Sequence, residues 1–170
     1  MAYTDGLMIF GSELSAVQVE TAAADLKDYV IPCNITILQA GVLVTEDFTE
    51  HTINPIFTVQ KKPGIGGTAV PLVSVTLASG ATSSLKRGDG VKEAQTAPTL
   101  DVDIDDDDVI LAYPGSFPIT VKSGEVITLK ASVASGSAGG AYVPFIIARI
   151  DGVVDGRQDN VWTATVSETA

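Results

Sequence analysis

The chain has 170 residues, few charges and a net charge of −11, which predicts one acidic domain with at most a short extra segment. Charged residues make up 18% of the sequence, whereas about 25% is usual in soluble domains. Nucleic acid is not an expected partner, because phosphates require a basic surface. One cysteine, Cys33, and one histidine, His51, exclude an intramolecular disulfide and a Cys/His zinc cage.

The N-terminal segment, residues 1–27, differs in composition from the rest of the chain. Its first 26 residues lack Lys and Arg, and no apolar run in the chain is long enough to cross a bilayer. We therefore expect neither a signal peptide nor a membrane partner. We expect the protein to be synthesised in a cytoplasm. The apolar cluster Leu7, Met8, Ile9 and Phe10 precedes an Ala-rich stretch, which predicts an arm or short helix that docks on its own body or a neighbour.

From residue 28 onward, short β-branched runs alternate with Gly, Pro, Asn and Ser, which predicts one all-β domain over 28–170. Their number and spacing indicate a jelly-roll-like β-sandwich or barrel of about eight to ten antiparallel strands. The candidate strands are Tyr29 to Leu38, Gly41 to Thr45, Pro55 to Gln60, Ala69 to Leu77, Pro98 to Ile104, Val109 to Ala112, Phe117 to Val121, Val126 to Val133, Tyr142 to Ile150 and Val161 to Val166.

Side-chain alternation predicts which faces of these strands are buried. In the Ala69 to Leu77 run, the apolar face carries Val73, Val75 and Leu77. The Val126 to Val133 run predicts one core face and one largely solvated face, and Trp162 is an expected core anchor of the last strand. The strand around Phe145 is apolar on both faces, so it should be central, covered on its second side, or buried against another subunit.

Six aspartates lie between Asp101 and Asp108. On a strand, Asp101, Asp103 and Asp105 would share one face, where carboxylates can hold a hard cation such as Ca²⁺. The alternative is a solvated acidic turn between two strands. The sixth and twelfth positions are Asp106 and Ala112, so the EF-hand pattern is absent. No metal or cofactor is assigned.

The remaining motifs do not predict an enzyme. Gly64, Gly66 and Gly67 fit the dinucleotide fingerprint, but a β-branched run with a proline follows where that fingerprint requires a helix. The sequence contains no Gly-x-Ser-x-Gly nucleophile elbow for which His51 could act as the general base. The tripeptide 87–89, Arg-Gly-Asp, makes an ordinary turn. A small hydrolase would need an inward-facing carboxylate pair, which the sequence leaves open.

Three stretches, 41–45, 118–129 and 136–142 (GVLVT, PITVKSGEVITL and GSAGGAY), carry a family resemblance. With them, the body of the chain from about 27 to 167 resembles the jelly-roll decoration, or cement, proteins of tailed-bacteriophage heads. The resemblance implies a non-enzymatic virion protein on the outer capsid surface. It also implies a trimer or other small homo-oligomer bound to the major capsid protein.

The leading hypothesis is therefore a self-associating protein that binds a viral shell. Leu7, Met8, Ile9 and Phe10 would supply apolar anchors, and basic side chains would face an acidic shell; these are Lys61, Lys62, Lys86, Arg87 and Lys92. The alternative is a carbohydrate-binding or adhesin module of a phage fibre or surface lectin. It requires exposed loops, with Tyr113 or Tyr142 accessible beside them and Ca²⁺ at the aspartate cluster.

Overall fold

The computed structural model describes residues 2–4, 6–19, 24–49, 53–80, 83, 85–86, 90–96, 102–132 and 139–151. These residues form thirteen strands and one short 3-10 turn, Pro114–Ser116. The strands are β1 Ala2–Thr4, β2 Leu7–Phe10, β3 Val17–Gln18, β4 Ala24–Val30, β5 Ile35–Glu46, β6 Ile56–Lys62, β7 Val70–Thr76, β8 Leu85–Lys86, β9 Val91–Ala94, β10 Val109–Leu111, β11 Ile119–Val121, β12 Val126–Ala131 and β13 Ala141–Ile150.

The strands form two sheets, and the all-β, jelly-roll-like sandwich predicted from the sequence is confirmed. The nine-stranded sheet has the order β1-β2-β13-β5-β10-β9-β8, with β11 also paired to β5 and β3 to β13. The four-stranded sheet has the order β4-β12-β6-β7. One pair, β9 with β10, is parallel instead of antiparallel, since the chain crosses over between them without a hairpin.

Two of the predicted strand boundaries are wrong. The run from Tyr29 to Leu38 is broken, because β4 ends at Val30 and β5 begins at Ile35. Pro32 in between has no amide donor for a ladder. β5 then continues without interruption to Glu46. From the predicted run Pro98 to Ile104, the described residues Val102 and Ile104 form isolated bridges, and the predicted strand Val161 to Val166 lies outside the described residues.

The core lies between the inner faces of the two sheets. Tyr142 of the large sheet meets Phe57 of the small sheet edge to face, with ring centroids 6.3 Å apart. Burial raises the pKa of Tyr142. The predicted inward face of β7 is confirmed, since Val73 and Val75 are buried.

The prediction that one face of β12 is largely solvated is wrong. Thr128 on that face is fully buried, because β4 and β6 flank β12 and their polar side chains lie over it. Its hydroxyl donates a hydrogen bond to Asp28 Oδ1 at 2.6 Å, which lowers the pKa of Asp28. Lys62 completes the cover, with its Nζ 3.3 Å from Asp28 and 3.4 Å from Asp25.

The N-terminal segment 1–27 contributes three strands, β1, β2 and β3, to the large sheet. β2 runs antiparallel to β13, with Phe10 opposite Ile146 and Met8 opposite Ala148. In the described part of this segment the chain is extended and turning, and no short helix is formed. β4 runs across the predicted boundary between residues 27 and 28, so the described residues on both sides of it belong to the same two sheets.

Replacing Phe10 by Ala is expected to lower the free energy of unfolding by about 3–5 kcal/mol. Its ring is fully buried and packs against Tyr29 with centroids 5.2 Å apart. Urea unfolding measures the loss. The control, Leu7→Ala on the same strand, removes a side chain that is 37% exposed and should cost about 1 kcal/mol or less. Equal losses would contradict the docking of β2.

Candidate functional site

An apolar surface covers the outer side of the nine-stranded sheet, away from the core. Strand pairing brings its residues into rows: Val91 lies opposite Val109, Val109 opposite Leu43, and Leu43 opposite Val143. We call this surface the outer apolar face, and it consists of Leu7, Ile9, Leu43, Val91, Val109, Leu111, Val143, Phe145 and Ile147.

The members of the outer apolar face are exposed or half-buried. Leu43 is 39% exposed, Val91 48% and Ile9 36%. Single exposed apolar side chains are normal on proteins, whereas this set is contiguous across five strands, and contiguous apolar patches are a common feature of interaction sites. The face also accounts for the two-sided apolar pattern around Phe145. β13 is central in its sheet, which is one of the three alternatives given for it above, and one side of the strand lies in the core.

A groove of about 340 Å³ lies in the middle of the outer apolar face. Its apolar lining comes from β2, β5 and β13, and Ser12 supplies its one polar lining residue. The lining residues are Ile9, Ser12, Leu43, Val143, Phe145 and Ile147. Such a lining suits an apolar or aromatic side chain and offers no charge to a polar substrate.

Gly41 lies beside this groove, next to the Phe145 ring. A Cβ atom at Gly41 would lie 2.3 Å from the carbonyl oxygen of Ile110 and 3.0 Å from Phe145 Cζ. Glycine therefore lets β10 approach β5 and lets the Phe145 ring lie against bare backbone, as aromatic residues do opposite glycine in sheets.

We expect Gly41→Ala to lower the free energy of unfolding by about 1–3 kcal/mol, because the backbone of β10 must move to admit the methyl group. Thermal and urea unfolding measure the change. In the matched control, Gly64→Ala, the added Cβ meets nothing within 4 Å, and stability should change by less than about 0.5 kcal/mol. A neutral Gly41→Ala variant would refute the close packing of β10 on β5.

The predicted apolar anchors divide between the two faces of β2. Met8 and Phe10 are fully buried in the protein's own core and are not available to a partner, so the expectation that all four residues supply anchors needs correction. Leu7 and Ile9 belong to the outer apolar face. The alternation of side chains along a strand separates the two pairs.

The predicted basic contacts are paired within the chain. Lys61 Nζ lies 3.0 Å from Glu125 Oε1, and Lys62 bridges two aspartates of β4. Both lysines are in β6 of the small sheet. The structure therefore does not bring them together with the anchors Leu7 and Ile9, which lie on the large sheet.

Lys92 was predicted to face an acidic shell, but this prediction is wrong. Its side chain is buried, 7% exposed, and pairs with the equally buried carboxylate of Asp108. The same Asp108 oxygen accepts a hydrogen bond from the backbone N–H of Asp105 at 2.9 Å. The pair joins β9 to the turn that precedes β10, so Lys92 stabilises the sheet. The Lys86 side chain and Arg87 lie outside the described residues.

Removing the Lys92 amine should be costly, because it leaves the Asp108 carboxylate buried without its cation. Lys92→Met is expected to lower the free energy of unfolding by about 3–5 kcal/mol. Lys61→Met, which breaks the more exposed pair with Glu125, should cost about 1 kcal/mol or less. Chemical unfolding of the two variants compares them. Similar losses would show that the Lys92 pair is solvated.

Apart from Asp108, which is buried against Lys92, the aspartates in the described part of the cluster are exposed. Asp103 and Asp105 are exposed, whereas Asp101 lies outside the described residues. The backbone N–H of Asp106 donates to Asp47 Oδ1 at 2.7 Å, and the negative charges of Asp47 and then Asp107 raise the pKa of Asp106. Over the described ranges, no three His, Cys, Asp or Glu side chains are grouped to hold a metal ion.

The other predicted features are distributed over the fold. Of the two tyrosines proposed for glycan stacking, Tyr113 is 39% exposed, whereas Tyr142 is buried between Phe48 and Phe57. The glycine motif forms a turn in which Gly67 N–H donates to Gly64 O at 3.1 Å, and β7 follows it, not a helix. His51 and the tripeptide 87–89 lie outside the described residues.

Comparisons with known proteins find similarity only among solved structures. No protein-family model and no curated protein matches the chain. The VP2 subviral particle of infectious bursal disease virus is similar at 12% identity and a TM-score of 0.41, over 90% of this chain and 34% of that chain. The structure of the Gx strain of that virus is similar at 12% identity and a TM-score of 0.31, over 87% and 33%.

These structural neighbours are viral capsid proteins, and the chain spans about a third of the length of each. The similarity concerns the fold alone. Within the described residues, no helix has the length and hydropathy needed to cross a membrane.

Proposed function

We propose that the protein is a non-enzymatic structural protein that self-associates and decorates the outer surface of a viral shell. The observation that carries this proposal is the outer apolar face, which is contiguous over five strands of one sheet. A subunit or shell protein packed on the face would remove that surface from water, and this is the main driving force of association. Leu7 and Ile9 take part, whereas Met8 and Phe10 do not.

The size of the face favours an assembly built from repeated contacts. Four spacings of about 4.8 Å across the five strands, and a length of about 13 Å from Val143 to Ile147, give a projected area of roughly 250 Å² per subunit. A stable pairwise interface needs about 800 Å² per partner. One such contact is therefore weak alone, but a trimer seated on a capsid makes several at once, and their combined affinity is much higher.

The charge distribution is compatible with this role. The net charge of −11 keeps the free subunits soluble and apart. The groove in the outer apolar face has no charged lining residue, and Glu93 and Arg149 lie opposite the face members Leu111 and Leu7. We assign the contact to this face and not to Lys61 and Lys62, whose amines are paired with carboxylates of the same chain. The resemblance of the sequence to phage decoration proteins supports the major capsid protein as the partner.

Sedimentation velocity over a range of concentrations tests the self-association. Leu43→Asp places a carboxylate in the contact and should weaken association at least about tenfold, since burying an unpaired charge costs more than about 1.4 kcal/mol. Leu43→Ser is a milder variant of the same position and should act in the same direction.

The matched control is Val70→Asp. Val70 is 56% exposed on β7 of the other sheet, so the same change there should leave association unaltered. A wild-type protein that stays monomeric at every concentration, or a Val70→Asp variant that weakens association as much as Leu43→Asp, would overturn the proposal.

A further inference from the structure

One amine and one carboxylate of the large sheet are in contact and excluded from water. Lys92 Nζ donates a hydrogen bond to Asp108 Oδ2, and each of these side chains is only 7% exposed. The other ion pairs within the described residues each include a side chain that is 30% or more exposed. Burial therefore distinguishes the contact between Lys92 and Asp108 from the ordinary surface pairs of this chain.

The backbone fixes both groups in this contact. Lys92 lies opposite Ile110 in the parallel pairing of β9 with β10, and Asp108 precedes Ile110 by two residues. Val44 N–H donates to Asp108 O at 2.8 Å, and Asp108 N–H donates to Asp105 O at 3.3 Å. Reacting groups that are held together in this way have effective concentrations of up to about 10⁵–10⁸ M. The fold thus places an amine nucleophile beside a carboxyl carbon.

We propose that Lys92 and Asp108 react within the folded chain to form an isopeptide bond between Nζ and Cγ. Two charges that are buried together carry a large desolvation cost, which their mutual attraction offsets only in part. Conversion of the ion pair into a neutral amide removes both charges from the interior and releases one water molecule to the solvent. The product is a covalent link between β9 and the turn before β10.

The step needs no reactant besides the two side chains. One proton of the Lys92 ammonium passes to the Asp108 carboxylate, which leaves a neutral amine and a carboxylic acid. The Nζ lone pair then attacks Cγ. Oδ2 takes up the developing negative charge and accepts a hydrogen bond from Asp105 N–H, at 2.9 Å, which is the kind of donor that stabilises such an oxyanion.

The tetrahedral intermediate then collapses to the amide. A second proton from Nζ passes to the hydroxyl oxygen Oδ1, the bond between Cγ and Oδ1 breaks, and water leaves. The third proton stays on Nζ as the amide N–H, and Oδ2 becomes the amide carbonyl oxygen. No electrons are gained or lost overall.

The link lies directly behind part of the outer apolar face. Val91 and Val109 are the sequence neighbours of Lys92 and Asp108, and they are paired with each other on the outer side of the sheet. The pairing of β9 with β10 is only three residues long, so a covalent bond would keep these strands together under load. The inference goes beyond the proposed function, because the bond forms within one subunit whether or not that subunit associates.

Mass spectrometry of the intact, unfolded protein tests the bond. The wild type should be lighter than its sequence mass by one water molecule. Trypsin should fail to cut after Lys92 and should release residues 88–122 as one peptide, lighter by one water, whose fragmentation identifies the two joined residues. An unlinked chain gives the separate peptides 88–92 and 93–122 at their full masses.

Two matched variants serve as controls. Lys92→Arg keeps the positive charge but removes the amine, so this variant should have its full sequence mass. Lys61→Arg makes the same change in the more exposed pair with Glu125 and should retain the deficit of one water. Because the peptide 88–122 of the wild type reports the bond by itself, the test does not depend on the folding of Lys92→Arg.

Three results would overturn the inference. They are a wild-type protein with its full sequence mass, complete tryptic cleavage after Lys92, and a water loss that persists in Lys92→Arg. The last result would assign the loss to another site, such as cyclisation at Asp89 before Gly90. All three readouts come from the unfolded chain, so they are separate from the sedimentation test of the proposed function.

Discussion

The pairing of β13 with β5 is the interaction on which the rest of the molecule depends. The two strands are paired from Ala141 to Ile150, and β13 also holds β2 and β3, while β5 holds β10 and β11. A central strand must be apolar toward the core. In β13 the opposite side is apolar as well, with Val143, Phe145 and Ile147 outside and Tyr142 and Ile146 inside. The strand that organises the fold therefore also contributes three residues to the outer apolar face.

The two sides of the large sheet therefore differ in role: the inner side forms the core, and the outer side carries the outer apolar face. The inner side is closed by the small sheet, whose own outer side carries the paired polar groups of Lys62, Asp28 and Thr128. On the outer side of the large sheet, Gln39, Glu93 and Arg149 lie opposite members of the outer apolar face, whereas the groove has no charged lining residue. Charge is thus placed where the protein meets water, and apolar area where we propose that it meets another surface. A charged cover over Leu43 and Phe145 would make each subunit more soluble but would remove the driving force for assembly.

The sequence predicts the local features of single strands better than it predicts which strands pair with each other. The fold class, the inward face of β7 and the central position of β13 follow from alternation along single strands. The sequence does not identify Leu43, Val91 and Val109 as members of one face, because they become neighbours only when β5, β10 and β9 pair, and no local pattern specifies those partners. Gly41, opposite Phe145, is a usable signal only once the register is known.

The errors have the same origin. The apolar cluster at residues 7–10 has the composition of a single apolar contact surface, whereas its strand conformation divides it into two buried and two outward residues. Lys92 has the sequence context of a surface cation, because its partner, Asp108, is distant in sequence and meets it only through the turn before β10. Side-chain alternation is enough to resolve the first case. The second requires the tertiary structure.

Hydroxyl-radical footprinting of the free and associated protein tests most directly whether the outer apolar face is covered by a partner. Val91 and Val109 lie on the face outside the groove, and Val70 on the other sheet serves as an internal reference. We predict that oxidation of Val91 and Val109 decreases on association while that of Val70 does not. Unchanged oxidation of the two face residues in an associated protein would show that subunits meet elsewhere and would contradict the assignment of the contact to this face.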